Sequence, residues 1–492
     1  MKIILTITSI LLSIAFCTLA SAQFPRDMPY RSIAPPDMKL PDYLSHIIDP
    51  SVPDAIRMTR VTDYYAPWKW YPSHEYPKTQ VWNADQSLIR IRSWRILDAR
   101  TYGVVQELSG DIYPSYWSNT DPDLIWSFQE NGDIKKHVVS SNTTTTVATI
   151  PGYETVKLGP GEANMDNDDH YVALVGKAGK DLDVILFDLQ KSEVIHIEKL
   201  PGAWGNGDNS FPEYIDWVSI SQSGDYVVIM WNHNTTSENH PFGTHYGVEV
   251  YNALDMQFQN RIISYGNHGD LGYAVDGHEV LVQFYGLYGH GTLYMHRLDG
   301  TGSFVLTTNK DFGVTGHVSC RNLHRPGWAY VVHNSAARSG QMVAVKLDDS
   351  GLTEHFGHHF SSSTSYEKAP MPVPSPNGDK IFFRSDFGDS VNKDLVYCFE
   401  AKVANVTAVH PVGEEQERLQ LYPNPAHDHI RITCQEFIQK IDIYSMSNTK
   451  IKTRSNIDSK EVMIDLAGLQ KGLYRLRITT STRSLIRSFI IQ

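Results

Sequence analysis

Ser223-Gly224-Asp225-Tyr226-Val227-Val228-Ile229-Met230 is a polar turn followed by a short apolar run, and the same phrase returns along the chain. The turns align as Asn83-Ala84-Asp85, Asn119-Thr120-Asp121, Asn167-Asp168-Asp169, Ser223-Gly224-Asp225, Val275-Asp276-Gly277, Arg325-Pro326-Gly327 and Asn377-Gly378-Asp379. Each leads into a run such as Leu88-Ile89-Arg90-Ile91, Tyr171-Val172-Ala173-Leu174-Val175 or Ile381-Phe382-Phe383-Arg384. These runs are too short for helices, and too rich in β-branched and aromatic residues, so they predict strands. From Gly224 through Gly277, Gly327 and Gly378 the period is near fifty residues, and the earlier copies are less regular.

A repeat of a few strands cannot bury both of its faces alone and must stack on its neighbours, which is the β-propeller solution. Sandwich units, the competing architecture, usually run to about a hundred residues. The copies predict seven blades over residues 55–411, with residues 55–62 closing the last blade. The expected fold is therefore all-β: a seven-bladed β-propeller followed by a small C-terminal β-sandwich over residues 412–492. In that tail Ile430-Arg431-Ile432-Thr433 and Tyr474-Arg475-Leu476-Arg477-Ile478 alternate apolar and polar residues, as a half-exposed sheet requires.

At the other end, Lys2 precedes a nearly continuous apolar stretch from Ile3 to Ala20, and Ala20-Ser21-Ala22 supplies small residues. Residues 1–22 thus read as a signal peptide cleaved after Ala22, leaving residues 23–54 as an N-terminal extension. No later stretch approaches eighteen uninterrupted apolar residues, so no transmembrane span is expected in the mature chain. Cleavage leaves Cys320, Cys398 and Cys434, an odd number at unrelated spacing, which reads as three separate buried thiols. The formal charge of −12 and the lack of a basic run argue against nucleic acid as a partner.

The tail carries Leu421-Tyr422-Pro423-Asn424-Pro425, then Ile441-Asp442-Ile443-Tyr444, then Gly472-Leu473-Tyr474-Arg475, and ends in Ser488-Phe489-Ile490-Ile491-Gln492. From Leu419 to Gln492 it resembles the type A C-terminal sorting domain of the type IX secretion system. Arg483 and Arg487 stand where lysines are common in that family. The resemblance implies handling by the type IX machinery and a secreted or outer-surface location.

In a propeller the innermost strands line a central channel, so chemistry is expected where they reach its mouth. Those positions hold His74-Glu75-Tyr76, Glu162, Asp216-Trp217, His268-Gly269-Asp270, His317-Val318-Ser319-Cys320-Arg321 and Tyr366-Glu367. His268, His317, His358 and His359 are candidate ligands for a divalent metal, the cofactor that converging neutral imidazoles would take. The competing reading has each histidine tying strands together through backbone or Asp hydrogen bonds. Arg321 is a candidate carboxylate fork, or else the partner of a neighbouring Asp. Arg325, Tyr76, Trp217, Trp68 and Trp70 are candidate substrate contacts. Trp68 and Trp70 sit in an aromatic cluster with Tyr64, Tyr65 and Tyr71 that suits sugar stacking or packing of the first blade.

With His268, His317 and the His358-His359 pair in these places, the propeller looks like the seven-bladed oligogalacturonide-lyase and TolB-like group. In the lyase members a histidine cluster with a glutamine holds a divalent metal, and this chain departs from them in having no Gln-x-x-His-x-His element. Neither a Gly-x-Ser-x-Gly elbow nor a phosphate-binding Gly-rich loop with a trailing Lys is present. Two functions are therefore expected. The first is binding of an extracellular glycan or an envelope partner. The alternative is β-elimination on a uronate-containing polysaccharide, with His317 or His268 removing the ring proton, Arg321 or a metal neutralising the carboxylate, and Tyr246 assisting the leaving oxygen.

Overall fold

The computed structural model describes residues 28–29, 33–404 and 419–491, apart from 53, 64–72, 93, 160–162, 233–243, 268, 286–291, 308–316, 334–339, 389–394, 423–425, 446–449 and 481–483. Residues 1–22, expected from the sequence to be a signal peptide, lie outside the described residues. Among the described residues, those up to Ala404 form seven successive antiparallel sheets, and an eighth sheet forms the tail. The sheets over 115–149, 155–200, 215–263 and 269–307 each contain four strands in up-and-down order. The first sheet has strands Leu88–Ile91, Arg95–Asp98 and Val104–Glu107, and Trp82 bridges to Ile89 on the side where the others carry their first strand.

The polar turns of the repeat join the first and second strands of each sheet. Gly224, Gly277, Gly327 and Gly378 all adopt positive φ there, which explains glycine at these places. First strands are largely buried. Fourth strands such as Thr143–Thr149 and Glu193–Leu200 are mostly exposed, so the first strands are innermost.

Ring closure is visible in the cores. Separate apolar clusters lie between the first and second sheets (Ile96, Trp117, Ile125), the second and third (Trp126, Phe128, Val172, Leu174), and the third and fourth (Ala173, Val175, Val218, Ile229). Others follow between the fourth and fifth (Val228, Val250, Leu281), the fifth and sixth (Val280, Val282, Val331, Val343), and the sixth and seventh (Tyr330, Phe356, Phe383). A last one joins seventh to first through Phe382, Val373, Trp82 and Ile89. Each sheet thus buries both faces, as an up-and-down stack can do only when it closes.

Strand pairing fastens the ring as well. Ile56–Arg60 pairs antiparallel with Phe399–Val403 of the seventh sheet, where the sequence placed a closing strand. The N-terminal extension is part of the same ring, because His46–Asp49 adds a further strand beside Ile56–Thr59 and Met28–Pro29 pairs with Leu352–Thr353 of the sixth sheet. In the tail, the long strand His429–Ser445 loses regular pairing between Thr433 and Ile438. Both halves pair with Lys450–Asp465 on one edge and take different partners on the other, Leu419–Tyr422 and Gly472–Thr480, and they bury Ile430, Ile432, Ile441 and Ile443 in one core with Leu476, Ile478 and Phe489. Cys320, Cys398 and Cys434 are buried, and none of them is in a disulfide among the described residues.

Candidate functional site

The end of the ring opposite the Asp-bearing turns collects the starts of the first strands and the ends of the second ones, since Ser115 pairs with Ser127 while Trp117 pairs with Ile125 beside the turn. A cavity of about 490 Å³ opens there, lined among others by Glu75, Tyr76, Arg92, Tyr113, Tyr116 and Lys157. Phe211, 59% exposed, stands at its edge. Next to it His317 packs edge-on against Tyr76 (5.2 Å between ring centres) and Tyr366 (6.1 Å).

Charge in this mouth is unevenly shared. Glu75 faces Arg90 at 3.6 Å and Arg92 at 4.0 Å, while Glu367 faces Arg92 at 3.7 Å and Arg384 at 3.4 Å. Three guanidiniums therefore share two carboxylates, at separations looser than a bidentate fork. Arg90 is buried, yet its Nε has no hydrogen-bond partner among the described residues. Arg384 is better held, donating to the carbonyls of Ala369 and Tyr366, and burial lowers its pKa. For Arg92 burial opposes the charge, but Glu75, Tyr113 and Glu367 outweigh it and raise the pKa.

Burial, aided by Glu75, raises the pKa of Tyr113 and, further, that of the more deeply buried Tyr116. His74, fully buried, is pushed down to about 3 by burial and then by Arg384, so it is neutral. One of its ring nitrogens lies 2.6 Å from the Met371 carbonyl, which requires N–H there. The mouth thus offers phenol hydroxyls, flat aromatic faces and the Arg92 guanidinium, a set suited to a polar ring-shaped ligand bearing acceptor oxygens.

Several expected site residues are placed elsewhere. Arg321 is buried, its fork turned onto Asp270 at 3.1 and 3.2 Å with a further bond to the Leu271 carbonyl, so it is not presented to a ligand. Arg325 grips both Glu354 oxygens, donates to Tyr330 Oη and lies over the Trp328 ring. Trp217 is 1% exposed in the core between the fourth and fifth sheets, beneath the Lys78 ammonium at 4.6 Å. Tyr246 caps Arg261 in the outer half of the fourth sheet, at 3.6 Å from ring centre to guanidinium carbon.

His358 is wholly buried on the outermost long strand of the sixth sheet, with Nδ1 at 2.9 Å from Asp49 and Nε2 at 2.9 Å from the Ile33 carbonyl. His359 is equally buried, and its Nδ1 accepts the Ser361 amide. His317, by contrast, precedes the innermost strand of that sheet. The metal set is thereby corrected, because His317, His358 and His359 belong to opposite edges of one sheet and do not converge. Among the described residues no group of three His, Cys, Asp or Glu side chains is arranged to hold a metal ion. His268, Trp68 and Trp70 lie outside the described residues.

Tyr76 and His317 are thus the candidates that the structure brings together. Arg90, Arg92, Tyr113, Tyr116 and Arg384 were not singled out from sequence. Their signal was present in Arg90 and Arg384, charged residues inside strands otherwise built for burial.

Residues 420–492 match a family model described as a secretion system C-terminal sorting domain. This is a secreted or cell-surface protein. Among the described residues no helix is long and apolar enough to cross a membrane. A curated relative, beta-agarase D of Zobellia galactanivorans, is 30% identical over 89 residues, 18% of each chain, so this chain spans less than a fifth of that relative's length. Among solved structures, an oligogalacturonate lyase in complex with manganese superposes with a TM-score of 0.52 at 12% identity, over 78% of this chain and 98% of that one. An oligogalacturonate lyase from Vibrio parahaemolyticus gives 0.48 at 11% identity, over 78% and 99%. At this identity the first likeness is one of fold, the all-β propeller.

Proposed function

We propose that this exported propeller binds an extracellular glycan in the open-end cavity. The observation that carries the reading is the union of Tyr76, Tyr113, Tyr116 and Arg92 around one space of sugar-ring dimensions, with Arg90, whose Nε has no hydrogen-bond partner among the described residues, buried on the far side of Glu75. Aromatic faces take the apolar side of a sugar ring, and phenol and guanidinium groups donate to its oxygens. The polysaccharide-directed names of the agarase relative and of the fold neighbours favour a glycan over a peptide. The protein's overall negative charge gives no long-range attraction for a polyanion, but the local cationic excess works over the few ångströms that matter once a ligand has docked.

A second reading is β-elimination on a uronate-containing polysaccharide. It is favoured by His317, which stands between two tyrosines at the mouth, with the Arg92 and Arg384 guanidiniums set around Tyr366 and its neighbour Glu367. There His317 would take the proton next to the carboxylate and Arg92 would offset its charge, in place of the Arg321 expected from sequence. We also propose that residues 1–22 are removed on export, that residues 23–404 form one folding unit, and that residues 412–492 are the sorting domain.

The experiment incubates the protein from Gln23 onward with neutral, uronate and sulfated polysaccharides, measuring retention and the ultraviolet absorbance of unsaturated uronate ends. Retention without absorbance, weakened about tenfold or more by Tyr113→Ala and Arg92→Ala, supports binding. Absorbance abolished by His317→Ala with unchanged melting supports the lyase. Neither signal on any polysaccharide rejects both readings.

A further inference from the structure

We propose that the sorting tail docks on the acidic turn face of the propeller, at the end of the ring away from the ligand cavity. The repeat puts a carboxylate in the turn between first and second strands almost every time: Asp85, Asp121, Asp168, Asp225, Asp276 and Asp379. Because these turns occupy equivalent places in successive sheets, stacking gathers them on one face of the ring. Residues 420–492 carry eleven Lys and Arg against six Asp and Glu, a net charge of +5, which leaves −17 on the rest of the chain.

The basic residues are not spread evenly over the tail. In its sheet Asp442 lies opposite Thr453 and Arg477, and Tyr444 lies opposite Lys450 and Arg475. Side chains alternate along a strand, so Tyr444 and Asp442 share the face away from Ile441 and Ile443, which are in the core. On that outer face the Tyr444 ring is flanked by Lys450 at 5.6 Å and Arg477 at 5.4 Å. Asp442 is shared by Lys440 at 2.9 Å and Lys450 at 3.7 Å. One carboxylate among three cations leaves the patch positive.

A second observation brings the two surfaces together. A cavity of about 1190 Å³ is lined by turn residues including Asp85, Asp168, Asp225 and Asp276, and also by Tyr444 and Arg477 of the tail. The occupant of the acidic face is thus the chain's own tail. Shape and charge agree: the patch is a broad sheet face with an aromatic centre, and the turn face is a broad ring of carboxylates.

Docking there has a functional consequence that does not depend on what the cavity binds. A protein held at the cell surface through its tail would turn its turn face inward and its open mouth outward, toward extracellular ligand. Removal of the tail would expose an acidic ring and leave the mouth as it was.

The test uses the protein from Gln23 onward, treated with a zero-length carbodiimide and mapped by mass spectrometry, with small-angle scattering alongside. At 0.05 M salt we expect amide links from Lys440 or Lys450 to turn carboxylates and a compact particle. The links should fall at least about fivefold at 0.5 M salt, where the screening length shrinks to a few ångströms. K450E/R477D should lose the links and expand the particle while both units still melt cooperatively, and D276K in that background should restore a link, now through the carboxylate introduced at position 450. Links absent at low salt, indifferent to salt, or running instead to Glu75 or Glu367 at the open mouth would overturn the proposal.

Discussion

Arg321→Ala discriminates a structural from a functional arginine. Arg321 and Asp270 are each 2% exposed, joined by two N–H···O contacts at 3.1 and 3.2 Å, and Arg321 also donates to the Leu271 carbonyl. Truncation leaves the Asp270 carboxylate buried with the amides of Cys320 and Leu271 as its described donors, at 2.7 and 2.8 Å. Removing one partner of such a buried pair costs about 3–5 kcal/mol, because the remaining charge has neither water nor a counter-ion. For a cooperative unit of ~350 residues, with an unfolding entropy of ~2.1 cal/mol/K per residue, each kcal/mol shifts Tm by about 1.4 °C, which gives a loss of about 4–7 °C.

The paired replacement Arg321→Met with Asp270→Leu removes both charges and keeps the volume, and should melt within about 2 °C of the parent. Differential scanning calorimetry on the protein from Gln23 onward reads both. If Arg321→Ala melts within a degree of the parent and instead abolishes ligand retention, the pair is not what holds this seam, and Arg321 returns to the site.

The remaining predictions address the rim, the histidines and the mouth. Burial pushes Glu279, which accepts from Ser221 and Ser223 across a sheet boundary, up to about 7. Its folded pKa then exceeds its unfolded one, so it penalises the native state increasingly as pH rises from about 4.5 through 7, by at most about 3 kcal/mol. Glu279→Gln should therefore raise Tm more at pH 8.5 than at pH 5, and a difference that is flat with pH, or reversed, refutes the assignment. His358→Ala strips the buried Asp49 of a donor and should cost about 2–4 kcal/mol with no change in bound metal, read by calorimetry and elemental analysis; a metal lost with the side chain would restore the ligand reading. Tyr113→Phe should weaken glycan retention several-fold at unchanged Tm, since Tyr113 lines the cavity at 38% exposure.

The sequence alone was enough for the architecture, because a propeller is written locally. A polar turn, a glycine able to take positive φ and a β-branched run recur at each blade, and every copy carries the same instruction. The closing strand near Ile56 and the sorting tail were legible for the same reason, one from its place before the first repeat and the other from contiguous motifs. The candidate site was legible in part. Tyr76 and His317 stand together at the mouth, ahead of the innermost segments of the first and sixth sheets, a position that the repeat register reveals.

What tertiary structure decided was the fate of each polar side chain. Arg321 and Arg325 are both site candidates on paper, yet each meets its carboxylate through folding, Asp270 from the preceding sheet and Glu354 from a distant strand of its own sheet. His358 finds Asp49 across more than three hundred residues of chain, a pairing that only ring closure creates. Conversely Arg90 and Arg384 read as strand residues, and come to face Glu75 and Glu367 behind the mouth only because the seventh sheet closes against the first. Secondary structure and repeat register follow from periodicity along the chain, while the pairing of charges follows from which faces the closed ring brings into contact, and no local pattern encodes that.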